Sequence, residues 1–118
     1  MPGIPYLEIS DFNPDNTLKR NVNQGKPVIC MAQGVFCGYC TQAKPAFTQL
    51  AKEINGYAFA CTMQIDSDKN LGAIISKLDP DYRGVPVYLL FDRNGRYVRT
   101  HTNGRDVQSL KTAIQSIQ

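Results

Sequence analysis

Phe36-Cys37-Gly38-Tyr39-Cys40 is the stretch on which the fold of this chain turns. Two cysteines separated by two residues can be joined without large backbone movement, so the pair can cycle between dithiol and disulfide. A Cys-x-x-Cys beside a strand-helix-strand pattern reads as a redox pair, whereas one with further ligands reads as a metal site. The flanking sequence has to decide between them.

On the N-terminal side, Pro27 to Ala32 is apolar throughout and is bounded by turn signals. That pattern predicts a central strand of a parallel sheet, buried on both faces. On the C-terminal side, Gly38 to about Ile54 has a helical period, with Ala43, Phe47, Leu50, Ala51 and Ile54 on one stripe. Pro45 is expected to interrupt and kink this helix, because it removes a backbone donor and clashes with the preceding turn. Asn55-Gly56 closes it, Tyr57 to Ile65 reads as a second buried strand, and Asp66-Ser67-Asp68 opens a helix carrying Leu71, Ile74, Ile75 and Leu78. Val85 to Phe91 and Arg96 to His101 are two strands joined by a hairpin at Asp92-Arg93-Asn94-Gly95. A last helix follows Gly104, with Val107, Leu110, Ala113, Ile114 and Ile117 facing the core.

Upstream, Tyr6 to Ile9 is expected as a first strand. Asn13-Pro14 is expected to start a helix that Gly25 stops. The predicted order is β-α-β-α-β-α-β-β-α. It implies an α/β fold with a mixed five-stranded sheet flanked by four helices, in one domain over residues 1–118.

The composition narrows the function classes. Of 118 residues, 42% are hydrophobic and 19% charged, which fits a globular chain and not a disordered one. A formal net charge of +3, with Lys19-Arg20 the only adjacent basic pair, gives no footprint for nucleic acid. No run approaches a membrane span, and Met1 to Pro5 lacks the basic and apolar segments of a secretory signal. No membrane association is expected, and the cytosol is the expected compartment. Four cysteines are too few for a disulfide scaffold.

With Cys37 at the first turn of its helix, unpaired N–H groups and the helix dipole favour a thiolate there. A free cysteine of pKa about 8.5 is a few per cent thiolate at neutral pH; a value near 7 makes it about half thiolate. Cys37, the outer sulfur, is the expected nucleophile. Cys40, a turn further in, is the expected resolving cysteine that releases the reduced substrate.

The strand, the Phe-Cys-Gly-Tyr-Cys, Pro45 five residues after the second cysteine, and Gly84-Val85-Pro86 before a strand and an Asn-Gly hairpin resemble the thioredoxin family over nearly the whole chain. The resemblance implies a thioredoxin-like fold and an electron-transferring thiol–disulfide oxidoreductase acting on protein disulfides. It further implies a cis Val85-Pro86 bond beside the cysteines, with Phe36, Tyr39, Val85 and Pro86 receiving substrate. Thioredoxin reductase or a thiol such as glutathione would supply electrons, and no cofactor is implied. Four positions depart from the family: Phe36 stands for the usual Trp, Tyr39 for Pro, Thr41 for Lys, and Met31 for a buried acid. The dipeptide between the cysteines helps set a poise that spans roughly −270 to −120 mV in the family. Gly-Tyr leaves the direction open, and a reductant is expected because nothing points to an oxidising compartment.

Other readings stay in view. Zinc needs four ligands, and beyond the pair only Cys30, Cys61 and His101 remain, two of them within apolar strands, so no metal is expected. Cys30 and Cys61 read as buried small apolar residues. A glutaredoxin-like, glutathione-dependent reductase is an alternative, and so is a thioredoxin-fold binding module with a dispensable cysteine pair.

Overall fold

Val28–Gln33 forms the central strand, β1, and every residue in it is buried. A strand buried on both faces must have apolar side chains on both, which is why the run does not alternate. The computed structural model describes residue 1 and residues 3–118. In chain order its elements are α1 (Arg20–Asn23), β1, α2 (Gly38–Ile54), β2 (Phe59–Gln64), α3 (Lys69–Leu78), β3 (Val87–Phe91), β4 (Tyr97–His101) and α4 (Val107–Gln115). The sheet order is β2-β1-β3-β4. β1 pairs with β2 in parallel and with β3 antiparallel, and β4 runs antiparallel to β3.

Alternation along β1 divides the core in two. Ile29 and Met31 join Tyr88 and Leu90 of β3 beneath α2 and α4, where Cys40, Phe47, Leu50 and Leu110 pack. Val28, Cys30 and Ala32 turn to the other side, with Cys61 and Met63 of β2, against Leu71 and Ile75 of α3 and against Leu7, Phe12 and Leu18.

Two expectations fail near the N-terminus. Among the described residues the sheet has four strands, so the five-stranded sheet is corrected. Tyr6 makes only an isolated parallel bridge to Thr62, in which Thr62 N–H donates to Pro5 O at 2.9 Å and Leu7 N–H to Thr62 O at 2.8 Å. Pro5 has no donor to extend that ladder. After Leu7, Glu8 N–H donates to Asp11 Oδ2 at 2.7 Å, and a 3₁₀ turn over Ile9–Asp11 bends the chain away.

The second failure concerns the helix expected from Pro14. Asn13 does not cap it; Asn13 N–H donates to Thr17 O at 2.8 Å, and Phe12 bridges Leu18 antiparallel. Asn16 takes a left-handed φ of 68°, which a helix cannot contain. Only Arg20–Asn23 remains helical.

The hairpin fixes this segment. Leu18 N–H donates to Gly95 O at 2.9 Å. Gly95 has φ of 78°, and a Cβ there would lie 2.6 Å from Leu18 O, so the turn needs glycine for both reasons. Elsewhere the elements fall close to expectation. α3 is capped by Asp68, whose Oδ1 accepts from Asn70 N–H at 2.9 Å. α4 is capped by Asp106. The interruption expected at Pro45 does not occur: α2 runs as one helix from Gly38 to Ile54 through it.

Candidate functional site

The central strand delivers the chain to the site. β1 ends at Gln33, Gly34 to Phe36 cross the top of the sheet, and Cys37 is the N-cap residue of α2. Cys37 has extended backbone dihedrals and Cys40 is helical, which leaves their Cα atoms 5.1 Å apart and the two sulfurs joined as a disulfide. Cys37 Sγ accepts the Cys40 N–H at 3.1 Å, taking the role that a serine or aspartate oxygen usually plays at a helix start. Thr41 N–H closes the first turn onto Cys37 O at 3.1 Å.

The two sulfurs live in different surroundings. Cys37 is half-buried, while Cys40 is 1% exposed inside the core beneath α2. Around Cys37 the surface is apolar, with Phe36 98% exposed and Tyr39 66% exposed. The Val85-Pro86 peptide bond is cis, and Val85 O lies 3.7 Å from Cys37 Sγ. Thus Phe36, Cys37, Tyr39 and Val85 share one surface, with Pro86 buried under it.

The loop after β1 is held by a residue that the sequence reading passed over. Asp66, just beyond β2, accepts the Val35 N–H at 2.8 Å. Parallel neighbours end at the same edge of a sheet, so the residues following β2 had to lie near Gly34-Val35; that rule was the available signal. Deeper in, Gln33 Nε2 donates to Thr62 Oγ1 at 2.7 Å, and Thr62 Oγ1 donates to Met31 O at 2.7 Å. These buried polar groups satisfy each other across β1 and β2. Arg105, beside Gly104, places its guanidinium 5.4 Å from the Tyr39 ring centroid. His101 is half-buried at the end of β4 with Nε2 3.0 Å from Gly104 O.

Cys30 and Cys61 are also brought together. They are direct partners in the β1–β2 register and both are fully buried, on the face opposite Cys40. Burial pushes the Cys61 thiol well up, with Cys30 adding to the effect.

A mixed sheet with helices on both faces, and a vicinal cysteine pair at the N-terminus of the helix that follows the central strand, defines a redox-capable thioredoxin-like protein. The thioredoxin family model matches residues 9–116. A putative thioredoxin-like protein, 453L, of Invertebrate iridescent virus 6 is 31% identical over 123 residues, covering 91% of this chain and 88% of the viral protein. Among solved structures, the J-Trx1 fragment of ERdj5 superimposes with a TM-score of 0.74 at 22% identity, over 98% of this chain and 52% of that one. The chain therefore spans about half the length of that fragment. Fasciola hepatica thioredoxin superimposes with a TM-score of 0.64 at 22% identity, over 80% of this chain and 83% of that one. The chain belongs to the thioredoxin family.

Proposed function

We propose that the protein is a thiol–disulfide oxidoreductase that reduces protein disulfides, with Cys37 as nucleophile and Cys40 as resolving cysteine. The observation that carries this reading is the asymmetry of the pair: one sulfur half-exposed at a helix N-terminus, the other 1% exposed one turn inward. The helix N-terminus and the Cys40 N–H, 3.1 Å from Cys37 Sγ, favour negative charge on the outer sulfur.

The cycle follows from those positions. The Cys37 thiolate attacks one sulfur of the substrate disulfide; a Cys37–substrate bond forms and the other substrate sulfur leaves as a thiolate. Cys40, as thiolate, then attacks Cys37 Sγ, the internal disulfide forms, and the second substrate thiolate leaves. Two electrons pass from the protein to the substrate, and an external dithiol or reductase restores the pair. The exposed Phe36 and Tyr39 supply apolar contact for the segment around the substrate disulfide. The backbone of Val85, at the bend before β3, offers groups for it to pair with. Thioredoxin reductase is the proposed electron source, with glutathione as the competing one, and the cytoplasm is the proposed site of action.

Insulin reduction driven by dithiothreitol tests the reading. Cys37→Ser is expected to lower turnover to the uncatalysed rate. Cys40→Ser is expected to retain the first step and accumulate mixed disulfides visible by mass spectrometry. Unchanged turnover in Cys37→Ser sinks the proposal and leaves a binding module in its place. Coupled assays with thioredoxin reductase and with glutathione reductase then identify the electron donor.

A further inference from the structure

The polar side chains buried on the Cys40 side of β1 are paired, with one exception. Gln33 and Thr62 close on each other and on Met31 O. Tyr88 is 1% exposed, and its hydroxyl is the one buried side-chain nitrogen or oxygen without a hydrogen-bond partner among the described residues. Leaving a buried hydroxyl unpaired is destabilising. An unpaired donor kept in a core calls for a state in which it finds an acceptor.

The phenol shares its side of the core with the inner cysteine. Tyr88 lies on β3 in register with Met31 of β1 and His101 of β4. Its ring centroid is 5.8 Å from that of Phe47, which shares the buried stripe of α2 with Cys40 and Ala43. On the other side the His101 ring is 6.2 Å away, and the Arg105 charge works against the upward push of burial on the phenol pKa. Arg105 in turn covers Tyr39, the residue before Cys40. The phenol ring thus packs against the middle of α2 at Phe47, and Cys40, two turns nearer the helix start, belongs to the same core cluster. Burial pushes the phenol pKa up to about 12, so the hydroxyl stays neutral and can only donate or accept a hydrogen bond, not carry charge.

In the disulfide, Cys40 Sγ is bonded to Cys37 and is at most a weak acceptor. Reduction adds two electrons and, at full protonation, two protons, and leaves Cys40 as a thiol or thiolate inside an apolar core. We infer that Tyr88 is a positioning residue of the redox cycle, its hydroxyl unpaired in the oxidised protein and donating to Cys40 Sγ in the reduced one. The inference rests on the oxidoreductase reading above. The hydrogen bond stabilises the dithiol form selectively and steadies the Cys40 thiolate for its attack on Cys37 Sγ. In that step the Cys37–Cys40 bond forms and the Cys37–substrate bond breaks. The substrate sulfur takes the electron pair, and the phenol keeps its proton throughout.

Tyr88→Phe tests this, with wild type and variant equilibrated in dithiothreitol redox buffers and the dithiol fraction read by thiol labelling. The variant is expected to shift about tenfold towards the disulfide, which for two electrons is a potential about 30 mV more negative. Thermal stability of its oxidised form is expected to hold or rise, because phenylalanine removes an unpaired hydroxyl. Mixed disulfides at Cys37 are expected to form at the wild-type rate and to decay about tenfold more slowly. If Tyr88→Phe proves unstable, 3-fluorotyrosine placed at position 88 strengthens the donor and is expected to move the potential the other way. An unmoved potential and unmoved decay rate overturn the inference and leave a phenol that packs or holds a trapped water. A wild type with no reversible dithiol–disulfide couple overturns the oxidoreductase reading itself, and the two failures are therefore distinguishable.

Discussion

The chain carries two cysteine pairs, and the sheet keeps them apart. Cys37 and Cys40 are three residues apart in sequence and sit where β1 hands over to α2. Cys30 and Cys61 come from different strands, and meet midway along β1 and β2 on the opposite face of the sheet. Both pairs are close enough for their sulfurs to interact, so proximity alone does not make a redox centre. The difference lies in what each sulfur can reach. Cys37 has a helix N-terminus behind it, which favours negative charge on its sulfur, and an exposed apolar surface beside it that leaves it open to approach. Cys30 and Cys61 have neither, and burial holds the Cys61 thiol in its protonated form.

Alkylation is the strongest way to break that contrast. In a reduced, folded sample, iodoacetamide should label Cys37 first. Cys30 and Cys61 should label at least about a thousandfold more slowly, because exposing them requires opening the central strands at most of a stability of about 5–15 kcal/mol. Peptide mass spectrometry over time reads the rates. Comparable rates at Cys30 or Cys61 would mean that the far side of the sheet opens readily, and the two pairs would then differ in degree only.

Neighbouring residues on β2 sharpen the same contrast at the level of stability. Cys61 and Thr62 are adjacent, both 0% exposed, and point to opposite faces. Cys61→Ser places a hydroxyl in an apolar cluster and is expected to cost about 1–3 kcal/mol in denaturant unfolding, whereas Cys61→Val should cost under about 1.5 kcal/mol. Thr62→Val leaves Gln33 Nε2 without its partner and takes the side-chain donor from Met31 O, for a similar loss of about 1–3 kcal/mol. One face therefore rejects a polar atom and the other depends on one. If Cys61→Ser is neutral, the cluster around Cys30 has room for water, and its seclusion is weaker than its burial implies.

How much of this was visible in the sequence follows from how far apart the deciding residues lie. The central strand, α2 and the cysteine pair were legible because each is encoded locally, by an apolar run, a helical stripe and a fixed spacing. The same holds for the hairpin at Asp92 to Gly95, where Asp92 Oδ1 accepts from Asn94 N–H at 2.9 Å and from Arg96 N–H at 3.0 Å. The first strand failed because Leu7 and Ile9 carry apolar side chains into the cluster with β2 and α3 while Tyr6 stays exposed, and Pro5 and the Glu8–Asp11 turn allow only one bridge. Apolar content was read as a ladder. Asn13-Pro14 failed because a cap followed by proline begins a turn as readily as a helix, and Leu18 bonding to Gly95, 77 positions away, selected the turn. At the site, Asp66, Thr62, Arg105 and Tyr88 come from β2 and the turn after it, β3 and the loop before α4. Their roles depend on register, which periodicity alone does not supply.

Alkaline pH gives the smallest and finest test. Burial raises the pKa of Cys61 above its ordinary 9.0 and those of Tyr88, Tyr82 and Tyr97 above their ordinary 10.0. For each group the folded protein holds its proton after the unfolded chain has released it. Between the unfolded and folded values the unfolded chain binds fewer protons, so stability must fall as pH rises, and below the unfolded values these groups contribute no slope. The loss should begin near pH 9 with Cys61, amounting to under ~1 kcal/mol for that group at about pH 9.5, and steepen near pH 10 as the tyrosines join. Unfolding midpoints measured between neutral pH and about pH 10.5 read the curve. Cys61→Val should flatten its first part and Tyr88→Phe its second. A curve that Cys61→Val leaves unchanged would show that Cys61 reaches solvent in the folded protein. That single result would erase the electrostatic half of the distinction between the two pairs while leaving their difference in position intact.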